Sequence, residues 1–229
     1  MSATFVHHRI DAAPRRWQAV ADRLGTDGAR RIAEAGGRLY GAWRSQIGRP
    51  RDEVQAISVW PQGITAAAAD QALLAARDDI RAVTSEVLVP TLRPTDTVPP
   101  TRQGNYAFRW FAVPEPNWPE FLDLCAAAWP GFEGAYDSQV IGLWQATGDR
   151  TGKTPDEVTG GSLHGGVRSL LLTRRPNLAM WERSKLPEGA AESAVREKLS
   201  RRYDLCDWTV VSTATLLTAV DRADTARWT

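Results

Sequence analysis

The sequence is poor in the residues that build metal and redox sites. It has only two cysteines, Cys125 and Cys206, far apart and without CxxC spacing, and only three histidines, His7, His8 and His164, in 229 residues. That argues for reduced, structural thiols and against a zinc framework, a disulfide scaffold or a protein-built non-haem iron site, so no metal site is expected. Lysine is confined to positions 153, 185 and 198, so arginine carries nearly all the positive charge. The formal net charge of +1 supplies no bulk field for phosphate polymers or acidic lipid, and neither nucleic acid nor a membrane is expected as a partner. No stretch reaches the apolar length of a membrane span, and "MSATFVHHRIDAAPRRW" lacks the basic start and apolar run of a signal peptide, so a cytoplasmic location is expected. GxGxxG, P-loop, GxSxG and HExxH patterns are missing too, which argues against nucleotide cofactors held in the usual way and against the standard hydrolase mechanisms. "TGKT" at 151–154 lacks the preceding glycine spacing of a phosphate loop.

What is present is an ordinary globular composition, 43% apolar and 24% charged, with ten tryptophans. Abundant alanine, with arginine in place of lysine, suggests a high-GC bacterial coding sequence. "TFVHHRI" (4–10) reads as a strand, and "DAAP" offers Asp11 as an N-cap with an early-turn proline for a helix carrying Trp17, Val20 and Leu24. Gly25 and Gly28 are expected to bend that helix and Gly36-Gly37 to end it. "RLYGAWRSQIG" and "VQAISVWP" read as a hairpin, residues 65–80 as an alanine-rich helix, and "RAVTSEVLVP" as a closing strand. The order strand, helix, strand, strand, helix, strand is the split βαβ, or ferredoxin-like, plan.

"PTLRPTDTVPPTRQG" (90–104) carries four prolines and no apolar periodicity, and reads as a linker. Beyond it the order repeats: "NYAFRWFAV", a helix with Phe121, Leu124 and Cys125 on one face, the hairpin "SQVIGLWQATG" and "VRSLLLTRRP", a broken helical stretch over 178–203, and "CDWTVVSTATLL". "GAWRSQIGRPRDEV" (41–54) and "GLWQATGDRTGKTPDEV" (142–158) match as one hairpin in two tandem copies, Gly41 with Gly142 and Trp43 with Trp144. The expected organisation is a first repeat over 1–92, a linker over 93–104, a second repeat over 105–220 with a glycine-rich hairpin insertion over 148–166, and a tail over 221–229.

These features, with "YAFRWFAVPEPNWPEFLDLC" and "AWPGFE", resemble the dimeric α/β-barrel superfamily and, within it, the NIPSNAP-type proteins. The resemblance implies an α+β fold. Two tandem ferredoxin-like (βαββαβ) repeats place their antiparallel sheets face to face in one barrel, helices pack outside, and ligand or cofactor sits between the sheets. Members include cofactor-independent monooxygenases, isomerases and haem proteins.

Residues facing the space between the sheets are therefore the first place to seek chemistry: Tyr40, Trp43 and Arg44 on the first hairpin, Arg109 and Trp110 in "YAFRWFAV", and Trp144. A one-residue register change exchanges the faces, so the pattern alone does not fix which of them point inward. Arg109, flanked by aromatics, needs a carboxylate, a π-face or an anionic ligand: a substrate carboxylate, a haem propionate, or a neighbour such as Glu86. Adjacent on a strand, His7 and His8 point to opposite faces, so at most one enters the barrel. His8, and His164 swinging on its glycine-rich loop, are candidates for moving a proton, with structural or solvated roles as the alternative. The strand tryptophans read as core or as pocket wall.

Three readings follow. The first is an enzyme of cofactor-independent monooxygenase or isomerase type that binds a small aromatic or polycyclic molecule. The second is a haem protein of the same fold with an axial histidine. The third is a non-catalytic binding or assembly protein, homodimeric through sheet faces or edges.

Overall fold

The computed structural model describes residues 3–73, 79–152 and 166–221. Eight strands run in the chain order β1 (Thr4–Ala12), β2 (Arg38–Ile47), β3 (Glu53–Trp60), β4 (Ile80–Arg93), β5 (Asn105–Pro114), β6 (Gln139–Arg150), β7 (Gly166–Arg175) and β8 (Trp208–Leu216). The helices are α1 (Trp17–Arg23), α2 (Ala29–Glu34), α3 (Ala66–Leu73), α4 (Trp118–Ala135), α5 (Leu178–Arg183) and α6 (Gly189–Asp204). All eight strands form one closed antiparallel barrel in the order β1-β3-β2-β8-β5-β7-β6-β4. Each half runs β4-β1-β3-β2 or β8-β5-β7-β6, the ferredoxin-like order, and pairs β2·β8 and β4·β6 join the halves. The two sheets are thus hydrogen-bonded into a single cylinder, not merely stacked. Closure leaves no unpaired sheet edge, so a second copy is not needed to complete the barrel.

Local sequence explains most boundaries. Strand β1 extends through Asp11 to Ala12, paired with β3 and β4, so Asp11 is a ladder residue and not the expected N-cap. Helix α1 starts only at Trp17, after Arg15 takes a positive φ of 66°. Gly25 and Gly28 fall in a π-helical turn, Leu24–Gly28, that offsets α2 from α1, and Gly36 at φ 88° ends α2. Strand β4 continues to Arg93, so the proline-rich segment is shorter than its composition suggests. The helix expected over 65–80 is observed as α3 over Ala66–Leu73; residues 74–78 lie outside the described part, and Ile80 already belongs to β4, paired with Ala12, so the helix ends earlier than expected.

Alternation along the strands, interrupted by register shifts in β2 and β6, separates two environments. Phe5, Tyr40, Trp43, Ile57, Leu88, Tyr106, Phe108, Trp110, Trp144 and Leu170 point along the barrel axis and form one cluster. Their neighbours in the chain face the helices: Val6, Ile10, Ala56 and Trp60 pack with α1 to α3, and Phe111, Val113, Val140 and Leu171 with α4 and α6. Trp43 and Trp144 are fully buried at the centre. Each indole lies back over the glycine two residues earlier in its strand, and a Cβ on Gly41 or Gly142 would overlap its ring. A register shift just before each glycine, at Leu39/Gly41 and Val140/Gly142, turns the strand into this arrangement. The G-x-W pattern is therefore a packing device, and it makes the barrel axis aromatic and filled.

The two adjacent histidines divide between these environments. His7 faces inward, its ring 5.5 Å from Phe108 and 5.7 Å from Trp110, and its Nε2 lies 3.1 Å from Gln55 Oε1. Burial, aided by the nearby Arg9 charge, pushes its pKa down to about 3. His8 faces outward under α3, with Ser58 Oγ 2.9 Å from Nε2 and Ser85 Oγ 2.6 Å from Nδ1. Burial lowers its pKa against the pull of Asp70, 3.4 Å away. Burial likewise opposes ionisation of Asp70, but hydrogen bonds from His8, Ser85 and Thr151 prevail and hold it below the ordinary carboxylate range.

Two measurements follow. Gly142→Ala should destabilise by about 1–3 kcal/mol in chemical denaturation, as overpacking does. Combined with Trp144→Leu it should cost less than the sum of the single changes; additive costs would show that the ring and the glycine are not coupled. Both histidines are neutral in the fold and bind protons once unfolded, so their contribution is complete above pH ~6.5 and is lost as pH falls below it. Stability should drop by up to about 1.4 kcal/mol per pH unit for each histidine below that point. His7→Leu should flatten the slope between roughly pH 6 and pH 4, whereas the stabilisation from Asp70 is in place above the ordinary carboxylate range and is lost only as pH falls below it. A flat wild-type profile from pH 7 to pH 5 would contradict the assignment.

Candidate functional site

Large side chains crowd the axis among the described residues, where a cavity of about 60 Å³ lies beside Gln55, Phe108 and Trp110. A cavity of about 270 Å³ sits between the outer face of the second half and its helices. Strand β5 supplies Ala107 and Arg109, β7 supplies Leu171, Thr173 and Arg175, and α4 supplies Trp129 and Phe132. Trp181, from α5, and Arg196, Arg202 and Tyr203, from α6, complete the wall. The alternation that sends Phe108 and Trp110 inward sends Arg109 outward, and the 10-residue strand β7 does the same for Arg175.

Four arginines therefore meet an aromatic wall. Arg175 is 8% exposed and Arg202 3% exposed, and the Nε of each is buried without a hydrogen-bond partner among the described residues. The Arg175 guanidinium lies 4.9 Å from the Phe132 ring and donates to Thr173 Oγ1 at 3.1 Å. Arg202 lies 4.9 Å from Phe111 and 5.0 Å from Tyr203, with Nη1 3.7 Å from Cys125 Sγ. Arg109 lies 5.3 Å over Tyr203 and reaches Thr209 Oγ1 at 3.5 Å. Among the described residues no carboxylate lines the cavity, and none of these four arginines forms an ion pair. Desolvation, reinforced by Arg109, lowers the Arg175 pKa to about 10, and desolvation also lowers that of Arg109. At Tyr203, burial favours the neutral phenol, but Arg202 and Arg109 outweigh it and set the hydroxyl below the usual phenol range. A cationic, aromatic cleft with an acidified phenol can hold a flat anion and accept a proton.

The register shows why this cleft forms in one half. Gly41 and Gly142 pair with Ile57 and Leu172, which in turn pair with His7 and Phe108. By the same count Arg109 stands where His8 stands in the first half, Thr173 where Ser58 stands, and Arg175 where Trp60 stands. In the first half Trp60 is buried against Gly37, its Nε1 donates to Ser58 Oγ at 2.8 Å, and His8 is locked by two serines. The indole occupies the level at which the second half has a guanidinium and a cavity.

Of the residues singled out by sequence, Arg109 is brought to the cavity; its suggested partner Glu86 pairs instead with Arg168. Trp43, Trp110 and Trp144 are interior core, as the strand periodicity allowed, and do not line it. Tyr40 is also interior, 5.3 Å from Phe5. It borders a separate groove of about 390 Å³ beneath the proline-rich segment, and burial raises its pKa. Arg44 faces outward in the first half, 4.2 Å over the Trp17 ring. His8 is enclosed in the first half, away from the cavity, and His164 lies outside the described residues. Between the sheets the described side chains pack closely around Trp43 and Trp144, and the cavity that Arg109 borders lies behind the sheet. Sequence reading missed Arg175, Arg202 and Tyr203. The signal available was "TRR" at the end of an otherwise apolar strand and "RRY" on a weakly amphipathic helix.

Among the described residues the lining holds no histidine, cysteine or methionine, and His7 and His8 are committed to Gln55, Ser58 and Ser85. These residues do not fit haem held by an imidazole. Among the described residues no group of histidine, cysteine and acidic side chains suits a metal ion, and no helix is long and apolar enough to cross a membrane.

No family model matches the sequence, and a sequence search of curated proteins finds no match either. Solved structures do match across the whole fold. A candidate monooxygenase from Lactobacillus acidophilus NCFM shares 10% identity, with 96% of this chain and 98% of that chain covered and a TM-score of 0.57. An anthrone oxidase-like protein shares 10% identity over 95% and 92% of the two chains, with a TM-score of 0.57. A haem-binding protein from Thermus thermophilus shares 11% identity over 94% and 91%, with a TM-score of 0.51. At these identities the likeness is one of fold: an α+β, ferredoxin-fold protein with a closed eight-stranded antiparallel barrel, shared with monooxygenase-like and haem-binding proteins.

Proposed function

We propose that the protein binds a small aromatic or polycyclic molecule in the cleft behind the second half of the barrel and acts on it as a cofactor-independent monooxygenase. The observation that carries this reading is the cleft itself, where Trp129, Phe132, Trp181 and Tyr203 offer ring faces around Arg109. In this reading the chain is NIPSNAP-like, and its two halves are copies of one unit, of which the second kept an open cleft.

Tyr203 is the catalytic residue we assign. As phenolate, favoured by Arg202 and Arg109, it accepts a proton from an activated ring CH₂ of the bound substrate. The arginines then stabilise the enolate-type anion. That anion reduces molecular oxygen, and the resulting hydroperoxide loses water to leave a carbonyl, so one oxygen atom enters the product and the other leaves as water. Without the oxygen step, the same proton transfer is an isomerisation.

The test is oxygen uptake with anthrone as probe, alongside quenching of tryptophan fluorescence. Uptake is expected, falling roughly 10²–10⁴-fold in Tyr203→Phe while binding persists. Binding without uptake would leave a non-catalytic binding protein. Haemin should give no saturable Soret band; a band lost in Tyr203→Phe or His164→Ala would move the reading to haem.

A further inference from the structure

The charge in the cleft is out of proportion to what a neutral aromatic ligand needs. Arg175 and Arg202 are more than nine-tenths buried, each with an unpartnered Nε, and Arg109 and Arg196 stand on the same wall. Among the described residues no carboxylate lines the space; the acidic side chains nearby are engaged elsewhere, Glu192 with Arg183, Glu182 with Lys185 and Glu120 with Arg201. A guanidinium taken out of water without a counter-charge is strongly disfavoured; Cys125 and Tyr203 support the charge of Arg202, whereas Arg175 has the Phe132 face and the Thr173 hydroxyl, which compensate only part of that cost. One arginine in this state serves packing. Several sharing an open cavity with no acid among them form a receptor for negative charge.

We infer that the natural ligand is an aromatic acid carrying two ionised groups, held between the ring faces with its acidic groups on Arg175 and Arg202. This rests on the aromatic cleft proposed above and adds the ligand's charge. The first half gives an internal comparison: at the place of Arg175 it has Trp60, at the place of Arg109 it has His8, kept neutral, and there the polar groups satisfy one another. The second half leaves its polar groups open to something that comes and goes.

The experiment titrates the protein with naphthalene-2,6-dicarboxylate, 2-naphthoate and naphthalene-2-carboxamide, read by tryptophan fluorescence and by thermal shift. Each acidic group is expected to tighten binding about tenfold or more over the carboxamide. Added sodium chloride should weaken the dicarboxylate most. Arg175→Met should abolish the preference for acids, yet leave the ligand-free protein as stable as wild type or more so, because it removes an uncompensated buried charge. An arginine that served the fold alone would lower stability when replaced. Arg202→Met gives a second reading of the same preference. If the carboxamide binds as tightly as the acids, the inference about charge is overturned and the aromatic cleft stands. If none of the three binds, the cleft reading falls with it.

Discussion

Closure of the barrel around a filled axis governs where everything else in the molecule can go. Once eight strands join edge to edge, every side chain must point either to the axis or to the helices, and the two sets are exchanged by a single residue of register. Two indoles folded over two glycines, with Tyr40, Tyr106, Phe108 and Trp110 around them, take up the axis. The layer between sheet and helices keeps a cavity of about 270 Å³, where packing is set by long side chains crossing a gap and not by a regular pleat.

Within that layer the halves solve one problem in two ways. The first uses an indole, a neutral histidine, two serines and an aspartate, whose polar atoms find each other at hydrogen-bond distance. The second uses arginines against aromatic rings and leaves a cavity. The first arrangement stabilises the fold at neutral pH and weakens it in acid. The second buries guanidinium groups that no carboxylate pairs among the described residues, a local cost met only in part by ring faces, the Cys125 thiol and the Tyr203 phenol.

This asymmetry also bears on the pKa values. Arg175 loses basicity through desolvation and its cationic neighbours, while Tyr203 gains acidity from nearby guanidinium groups despite its burial. Burial is the larger cause at Arg175, with Arg109 adding to it, and the same cluster of guanidinium groups lowers Tyr203 in a space that no carboxylate lines among the described residues. An anion beside Arg175 would return it toward its ordinary basicity.

The ferredoxin-like element order and the shared geometry of Gly41-x-Trp43 and Gly142-x-Trp144 were legible in the sequence, because periodicity and turn residues are local properties. Arg109 also stood out there, since an arginine between aromatics in an apolar strand has few resting places. The face that each strand residue takes was not legible, and it emerged from the closed barrel: Trp43, Trp110, Trp144 and Tyr40 are core, while Arg109 borders a cleft. The same closure brought Arg175 of β7 and Arg202 and Tyr203 of α6 to one wall, from positions where "TRR" and "RRY" look like ordinary solvated charge. A helix packed across a sheet joins residues that share no sequence period. Whether a charged side chain there meets water, an acid or an open cleft depends on what its distant neighbours leave unfilled.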